Sequence, residues 1–168
     1  RLKTGESYVR SYSKNKMFTG YNVSTRIWIG SYCNGSSFED LADKSEGIRR
    51  IGVLRADVDN LGTAFVRGFE RSNCSQQYVS ISRTATFSRK LNMFFKLHIN
   101  YLLGSAKYSM QPEATPYSQR RALIVYSGGD DLFIVGAWNE LIEAAVDIND
   151  ALKKYTQGTL TLSAGIGI

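Results

Sequence analysis

The 168-residue sequence has one histidine, two cysteines, two prolines and no apolar run near the roughly 20 residues that a membrane span requires. A zinc site of the usual kind needs about four ligands, and His98, Cys33 and Cys74, with no CxxC pair, do not supply one. One disulfide between the cysteines remains open. So few thiols fit a reducing, cytoplasmic setting better, with both unpaired. No signal-peptide pattern occurs, because Arg1 to Lys16 is polar throughout. The chain starts without Met and stops at Ile168 inside a strand-like run, so a fragment truncated at its C-terminus is expected.

What is present is an ordinary globular composition, with a mean hydropathy of -0.24 and enough length to bury a core without staples. Basic residues outnumber acidic ones by 21 to 15, giving a net charge of +6. The excess is spread along the chain rather than gathered in a run. It is compatible with a polyanionic partner and equally with a solvated basic surface.

Residues 1–47 read as a flank or linker, polar at first and then β-prone over Arg26–Tyr32. A helical turn follows at Phe38–Ala42. Residues 48–168 read as one domain. Ile51–Ala56 is a compact apolar run entering the polar turn Asp57-Val58-Asp59-Asn60, and Leu61–Phe69 begins a helix. Tyr78–Leu103 is the clearest long helix, with Phe87, Leu91, Phe94, Phe95, Leu97, Ile99 and Leu102 at three- and four-residue steps. Gly104–Gln119, which holds Pro112 and Pro116, reads as a long loop and the segment most prone to disorder. Ala122–Tyr126 and Leu132–Gly136 read as a hairpin around Ser127-Gly128-Gly129-Asp130-Asp131, Trp138–Tyr155 as an amphipathic helix closed by Gly158, and Thr159–Ile168 as a last strand. The order β-α-α-β-β-α-β is that of an α+β, ferredoxin-like domain, an antiparallel sheet with helices on one face.

Two acidic clusters sit at strand ends: Asp57 with Asp59, and Asp130 with Asp131. In this topology both reach one sheet edge. Carboxylates brought that close repel unless a hard cation lies between them, and Mg²⁺ or Mn²⁺ combines one or two carboxylates with substrate phosphates. Gly128 and Gly129 permit a tight turn and a close ligand, while the amides of Asn60, Leu61 and Gly62 suit phosphate oxygens. The plainer alternatives are a simple hairpin turn and an aspartate cap. His98 reads as a packed or surface side chain, and most of the aromatic residues as core.

The stretch Gly47–Gly62 with Phe65 and Gly68-Phe69, the Tyr126–Asp131 hairpin and the closing Ser163-Ala164-Gly165-Ile166 resemble the GGDD palm of the large subunit of type III-A CRISPR effector complexes. Tyr12–Lys16 and Trp28–Tyr32 resemble the same protein, so nearly the whole chain is covered. The resemblance implies a palm that joins ATP into cyclic oligoadenylate when the complex captures target RNA. It implies Asp57, Asp130 and Asp131 as metal ligands, Asp130 and Asp131 also being catalytic toward the attacking 3′-hydroxyl. Val58, Asp59, Asn60, Leu61, Gly62, Ser127, Gly128 and Gly129 would bind nucleotide, with Asp59 either a ligand or a shaper of the turn. Other complex subunits, CRISPR RNA, target RNA and a second palm, from the same full-length chain or a homodimer, would be partners. The family's nuclease domain uses adjacent His and Asp, which His98 alone does not supply, and one palm alone implies weak or no cyclisation. A diguanylate-cyclase-like GTP enzyme shares the palm but has a GG[D/E]EF turn, where this sequence reads Gly-Gly-Asp-Asp-Leu. A catalytically silent scaffold palm is the third alternative.

Overall fold

Strand and helix alternation are resolved by what each segment buries. The computed structural model describes residues 11–14, 24–70, 78–110 and 118–168. Cys74, both prolines and most of Arg1–Gly20 lie outside that set, as does the disorder expected around the prolines. Cys33 is an exposed free thiol.

Four strands form the main sheet, in the order β4-β5-β3-β6, antiparallel throughout: β3 (Ile51–Val58), β4 (Ala122–Gly128), β5 (Asp131–Ala137) and β6 (Leu162–Gly167). A second, two-stranded parallel sheet joins β1 (Ser11–Lys14) to β2 (Ser24–Ile27). Between β3 and β4 run α2 (Leu61–Arg67) and a long helix made of α3 (Ile81–Met93), a π segment (Phe94–His98) and α4 (Ile99–Gly104). The helix α5 (Trp138–Tyr155) connects β5 to β6. This is the ferredoxin-like arrangement expected from the order of elements.

Alternation decides the layers. On β3, Leu54, Ala56 and Val58 are buried, and they meet Leu132 and Ile134 of β5 together with Leu91, Phe94, Phe95, Ile99, Leu141, Ile148 and Leu152 from the helices. Fully burying each such side chain is worth about 1.5–3 kcal/mol. The opposite face of the sheet is covered only in part, by α1 (Phe38–Asp43), which Ser37 caps through Asp40 N–H and which packs on β3 and β5. Over its described residues the flank is also tied to this sheet. Ile124 N donates to Tyr32 O and Asn34 N to Ala122 O, both at 2.9 Å, so residues 32–34 cover the outer edge of β4. Covering an edge in this way blocks unwanted pairing.

The helical stripe is interrupted by the π segment, which turns Leu97 to a half-buried position while Phe94, Phe95 and Ile99 stay inside. On α5 the buried face also carries Glu143 and Asp147, whose charges are matched by Arg120. Arg120 is only 3% exposed. Its guanidinium pairs with Glu143 and, at 2.8 Å, with Asp147, and it donates to Tyr108 O. The carboxylates also accept the amides of Lys107 (3.1 Å), Tyr108 (3.0 Å) and Met110 (2.7 Å). Arg120 O accepts the Tyr32 hydroxyl at 2.6 Å and Asn34 Nδ2 at 3.1 Å. One arginine thus ties α5, the loop after α4 and the flank together.

Replacing it leaves two carboxylates buried without a counter-charge. Arg120→Met is expected to lower the unfolding free energy by about 3–5 kcal/mol, read from urea midpoints. A loss no larger than the ~1 kcal/mol of a surface ion pair would contradict this role.

Candidate active site

The register of the two central strands determines the site. Ala56 pairs with Leu132 in the last rung of the β3–β5 ladder, and Asp57 and Asp131 are the next residue out on each strand. Asp57 pairs on its other side with Ser163, and Asp131 with Gly128. Opposed residues project to the same face, here the face turned away from the long helices. Two pairs, Gly128–Asp131 and Asp57–Ser163, therefore lie side by side at one end of the sheet. The sequence placed Asp57 and the Gly-Gly turn at a common edge, and the register puts them there.

Like charges directly opposed in a sheet are unfavourable. Among the described residues, Asp57, Asp130 and Asp131 form no ion pair that would relieve them. Among the described residues, Asp57 Oδ1 accepts the neighbouring Val58 N–H, at 3.0 Å. The hairpin has a two-residue loop, Gly129-Asp130, closed by the Gly128–Asp131 pair. Gly129 has φ +70°, at the position where a II′ hairpin places its glycine. Its amide donates to Asn92 Oδ1 at 3.3 Å, so α3 braces the turn from behind.

The remaining expected residues divide in two. Asn60 adopts the left-handed conformation (φ 54°) at the start of α2, and its carbonyl accepts Ala64 N–H at 3.0 Å. Leu61 and Gly62 then begin the helix, and a Cβ on Gly62 would meet nothing within 4 Å, so this end of α2 is open to a ligand. A cleft of about 510 Å³ adjoins it, lined by Asp59, Asn60, Thr63, Arg67, Phe69 and Phe87 among others. Val58 buries its side chain in the core, leaving only backbone for a ligand.

Three expectations change. Ser127 is buried and donates its hydroxyl to Phe95 O inside the π segment, so that hydroxyl serves the helix and not a nucleotide. Asp59 accepts the hydroxyls of Thr161 (2.6 Å) and Ser163, and its amide donates to Thr161 O at 2.9 Å. Both its oxygens are engaged in shaping the turn against β6, the second of the two roles considered for it. Finally, among the described residues no group of three His, Cys, Asp or Glu gathers to hold a metal. Asp57, Asp130 and Asp131 are therefore not a preformed three-carboxylate cage, because the turn keeps Asp130 in the loop beyond the paired strands. What remains is the Asp57–Asp131 pair, a donor set that suits a divalent ion completed by phosphate oxygens. Asn92 and Lys96, which approach the hairpin from the long helix, were missed. Their only sequence signal was polarity beside an apolar stripe.

An antiparallel ferredoxin-like sheet with carboxylates at the end of its first strand and at the adjoining hairpin is a palm domain. The chain belongs to the Cas10/Cmr2 family, whose second palm domain matches residues 50–168. It is 48% identical over 160 residues to a Cas10/Csm1 single-strand-specific deoxyribonuclease (subtype III-A) of Mycobacterium tuberculosis (strain ATCC 25618 / H37Rv), covering 95% of this chain and 20% of that protein. It is 40% identical over 167 residues to the protein of the same description from Enterococcus italicus, with coverage of 95% and 20%. The chain thus spans about a fifth of the curated relatives it matches. Among solved structures, a Csm1–Csm4 cassette in complex with pppApApA aligns with a TM-score of 0.79 at 30% identity, over 99% of this chain and 24% of that one. A Csm1–Csm4 cassette with one ATP aligns at 0.76 and 30%, again over 99% and 24%.

The two hydroxyls hold the Asp59 carboxyl below its usual range, Ser163 being the larger cause. Because the folded value is lowered, the tether's contribution is complete above an ordinary aspartate's pKa of about 3.9 and fades as pH falls through the folded value. A carboxyl NMR titration of Ser163→Ala should move the Asp59 midpoint upward. An unmoved midpoint would show that the hydroxyl does not set it.

Proposed function

We propose that this palm joins ATP through 3′–5′ linkages into cyclic oligoadenylate, within a type III CRISPR effector complex that responds to target RNA. The observation that carries this reading is that Asp57 and Asp131 stand at the adjoining ends of β3 and β5, with no ion pair among the described residues, beside a glycine hairpin. Its support from relatives is that Csm1–Csm4 cassettes bind ATP, AMPPNP, pppApApA, cA3 and cA4.

Asp57 and Asp131, with Asp130 from the loop and the Val58 carbonyl nearby, would hold Mg²⁺ or Mn²⁺. When bound, such an ion neutralises phosphoryl charge and acidifies a nearby hydroxyl. Asp130 and Asp131 accept hydrogen bonds from the attacking ribose hydroxyl and so orient it. The Leu61 and Gly62 amides, aligned by Asn60, hold phosphate oxygens at the start of α2. Gly129 leaves room for the nucleotide at the turn. A second palm supplies the facing half of the site, and a Csm4-like subunit, CRISPR RNA and target RNA are the remaining partners. The deoxyribonuclease activity in the relatives' name is not assigned to these residues, whose one histidine, His98, stacks on Phe94 at 5.9 Å. Against a diguanylate cyclase stands the Asp131-Leu132 pair where that signature has Glu-Phe. Against a silent scaffold stands the cost of keeping uncompensated carboxylates at adjoining strand ends.

Asp130→Ala with Asp131→Ala, and separately Asp57→Asn, should lower oligoadenylate synthesis from ATP by at least about a hundredfold with the circular dichroism spectrum unchanged. Undiminished synthesis by a folded variant would refute the assignment, and a preference for GTP over ATP would replace it. The 168-residue chain alone, at dilutions where it is monomeric, should make little product.

A further inference from the structure

The rung behind the two carboxylates has a composition that the proposed chemistry leaves unused. Following the same register inward, the open face carries Tyr126–Phe133–Arg55–Gly165 across all four strands. This row lies two residues along the strands from the acidic one, a distance of about 7 Å. A β-bulge between Ile124 and Tyr126 creates it: the extra residue changes the alternation of β4, so Tyr126 joins Phe133 outside while Ser127 turns inward.

Tyr126 is 54% exposed, and its hydroxyl donates to Gly128 O at 3.2 Å, which holds the ring along the strand toward the acidic row. Phe133 is half-buried beside it. Arg55 is exposed, with no ion pair among the described residues although Asp57 lies two residues along its strand. At β6, a Cβ on Gly165 would meet nothing within 4 Å, so the row is flat and open there. Lys96 reaches the β4 end of the neighbouring acidic row: its Cε lies 3.4 Å from where a Cβ on Gly128 would sit, two residues beyond Tyr126, and it too has no ion pair among the described residues. The cover that α1 gives this face lies over the other end of β5, where Val135 is buried. Two aromatic rings beside the exposed Arg55, with Lys96 at the β4 end of the adjoining acidic row, match the chemistry of single-stranded nucleic acid. Bases stack on the rings and phosphates meet the cations.

We propose that the Tyr126–Phe133–Arg55 row is a stacking platform for a nucleobase of a linear adenylate chain, seating the strand whose ribose hydroxyl reaches the Asp57–Asp131 rung. The inference rests on that rung being a nucleotidyl-transfer site and adds how the growing strand is held. Tyr126 and Phe133 take the base, Arg55 and Lys96 the phosphates, and the spacing to the acidic row is that between a base and its own ribose.

The test uses the full-length protein and fluorescein-labelled triadenylate, with binding followed by anisotropy in EDTA, so that neither metal nor turnover contributes. Tyr126→Ala should weaken binding about tenfold, within the range of one lost base stack. Tyr126→Phe, which keeps the ring, should bind as the parent does. Arg55→Gln should weaken binding and reduce the slope of log affinity against log salt by about one. Equal affinity of parent and Tyr126→Ala, with both folded by circular dichroism, would overturn the platform, as would no binding by the parent. Failure of the underlying reading looks different: Asp57→Asn would then keep synthesis, while the metal-free binding of the Tyr126 variants stayed as measured.

Discussion

The antiparallel register of β3 against β5 is the constraint on which the rest of the molecule depends. Because side chains alternate, one pairing sets both faces at once. Leu54 with Ile134 and Ala56 with Leu132 go inward, and Asp57 and Asp131 follow as the next residue out on each strand. A slip of one residue would turn Leu54, Ala56 and Val58 to solvent and lose several side-chain burials of about 1.5–3 kcal/mol each. Opposed carboxylates, by contrast, cost about 0.2–1 kcal/mol. The core therefore wins easily, and the acidic rung persists because the register that creates it is held from the other side of the sheet.

The same division explains the Arg120 cluster. Three buried charges in a domain of this size are unfavourable unless each is hydrogen-bonded. Here Glu143 and Asp147 accept amides from the loop after α4, Arg120 donates to Tyr108 O of the same loop, and the arginine's carbonyl collects two donors from the flank. Arg120 Nε is left without a partner, the one buried side-chain polar atom of that kind among the described residues. The cluster brings three segments distant in sequence to one point, at the opposite end of β4 from the Gly-Gly turn.

Much of this was legible in the sequence because it is local. Apolar runs of strand length, a helix from Trp138 to Tyr155 and a glycine turn announce themselves within a few residues, and their order specifies the ferredoxin-like sheet. The convergence of Asp57 with the hairpin followed from that order. What was not legible depends on partners far away. Asp59 looked like a ligand candidate because its tethers lie about a hundred residues away, Ser163 in the last strand and Thr161 just before it. Ser127 looked available because its acceptor is a carbonyl exposed by a π segment that periodicity alone reads as ordinary helix. The bulge in β4 has no composition signal: Ile124-Val125-Tyr126 reads as uninterrupted strand, yet it decides which of Tyr126 and Ser127 faces solvent. Residues 32–34, read as part of a linker, serve as cover for a strand edge.

Placing chemistry on the outward half of a strand has a physical consequence. Asp57 and Arg55 alternate with Ala56 and Leu54, so each outward position can change charge or shape without opening a cavity, and each inward position is constrained by packing alone. Sites built on loops lack this separation, because their residues both shape the backbone and meet the ligand. Asp59 shows the contrast two residues beyond Asp57: once the strand ends, its carboxylate is consumed in holding the turn. The open face of a ferredoxin-like sheet can therefore hold rows of unlike character side by side, an acidic rung and an aromatic–cationic one about 7 Å apart. Their spacing is set by the pleat, and their charges need not be balanced within the fold as long as a ligand of the opposite kind completes them.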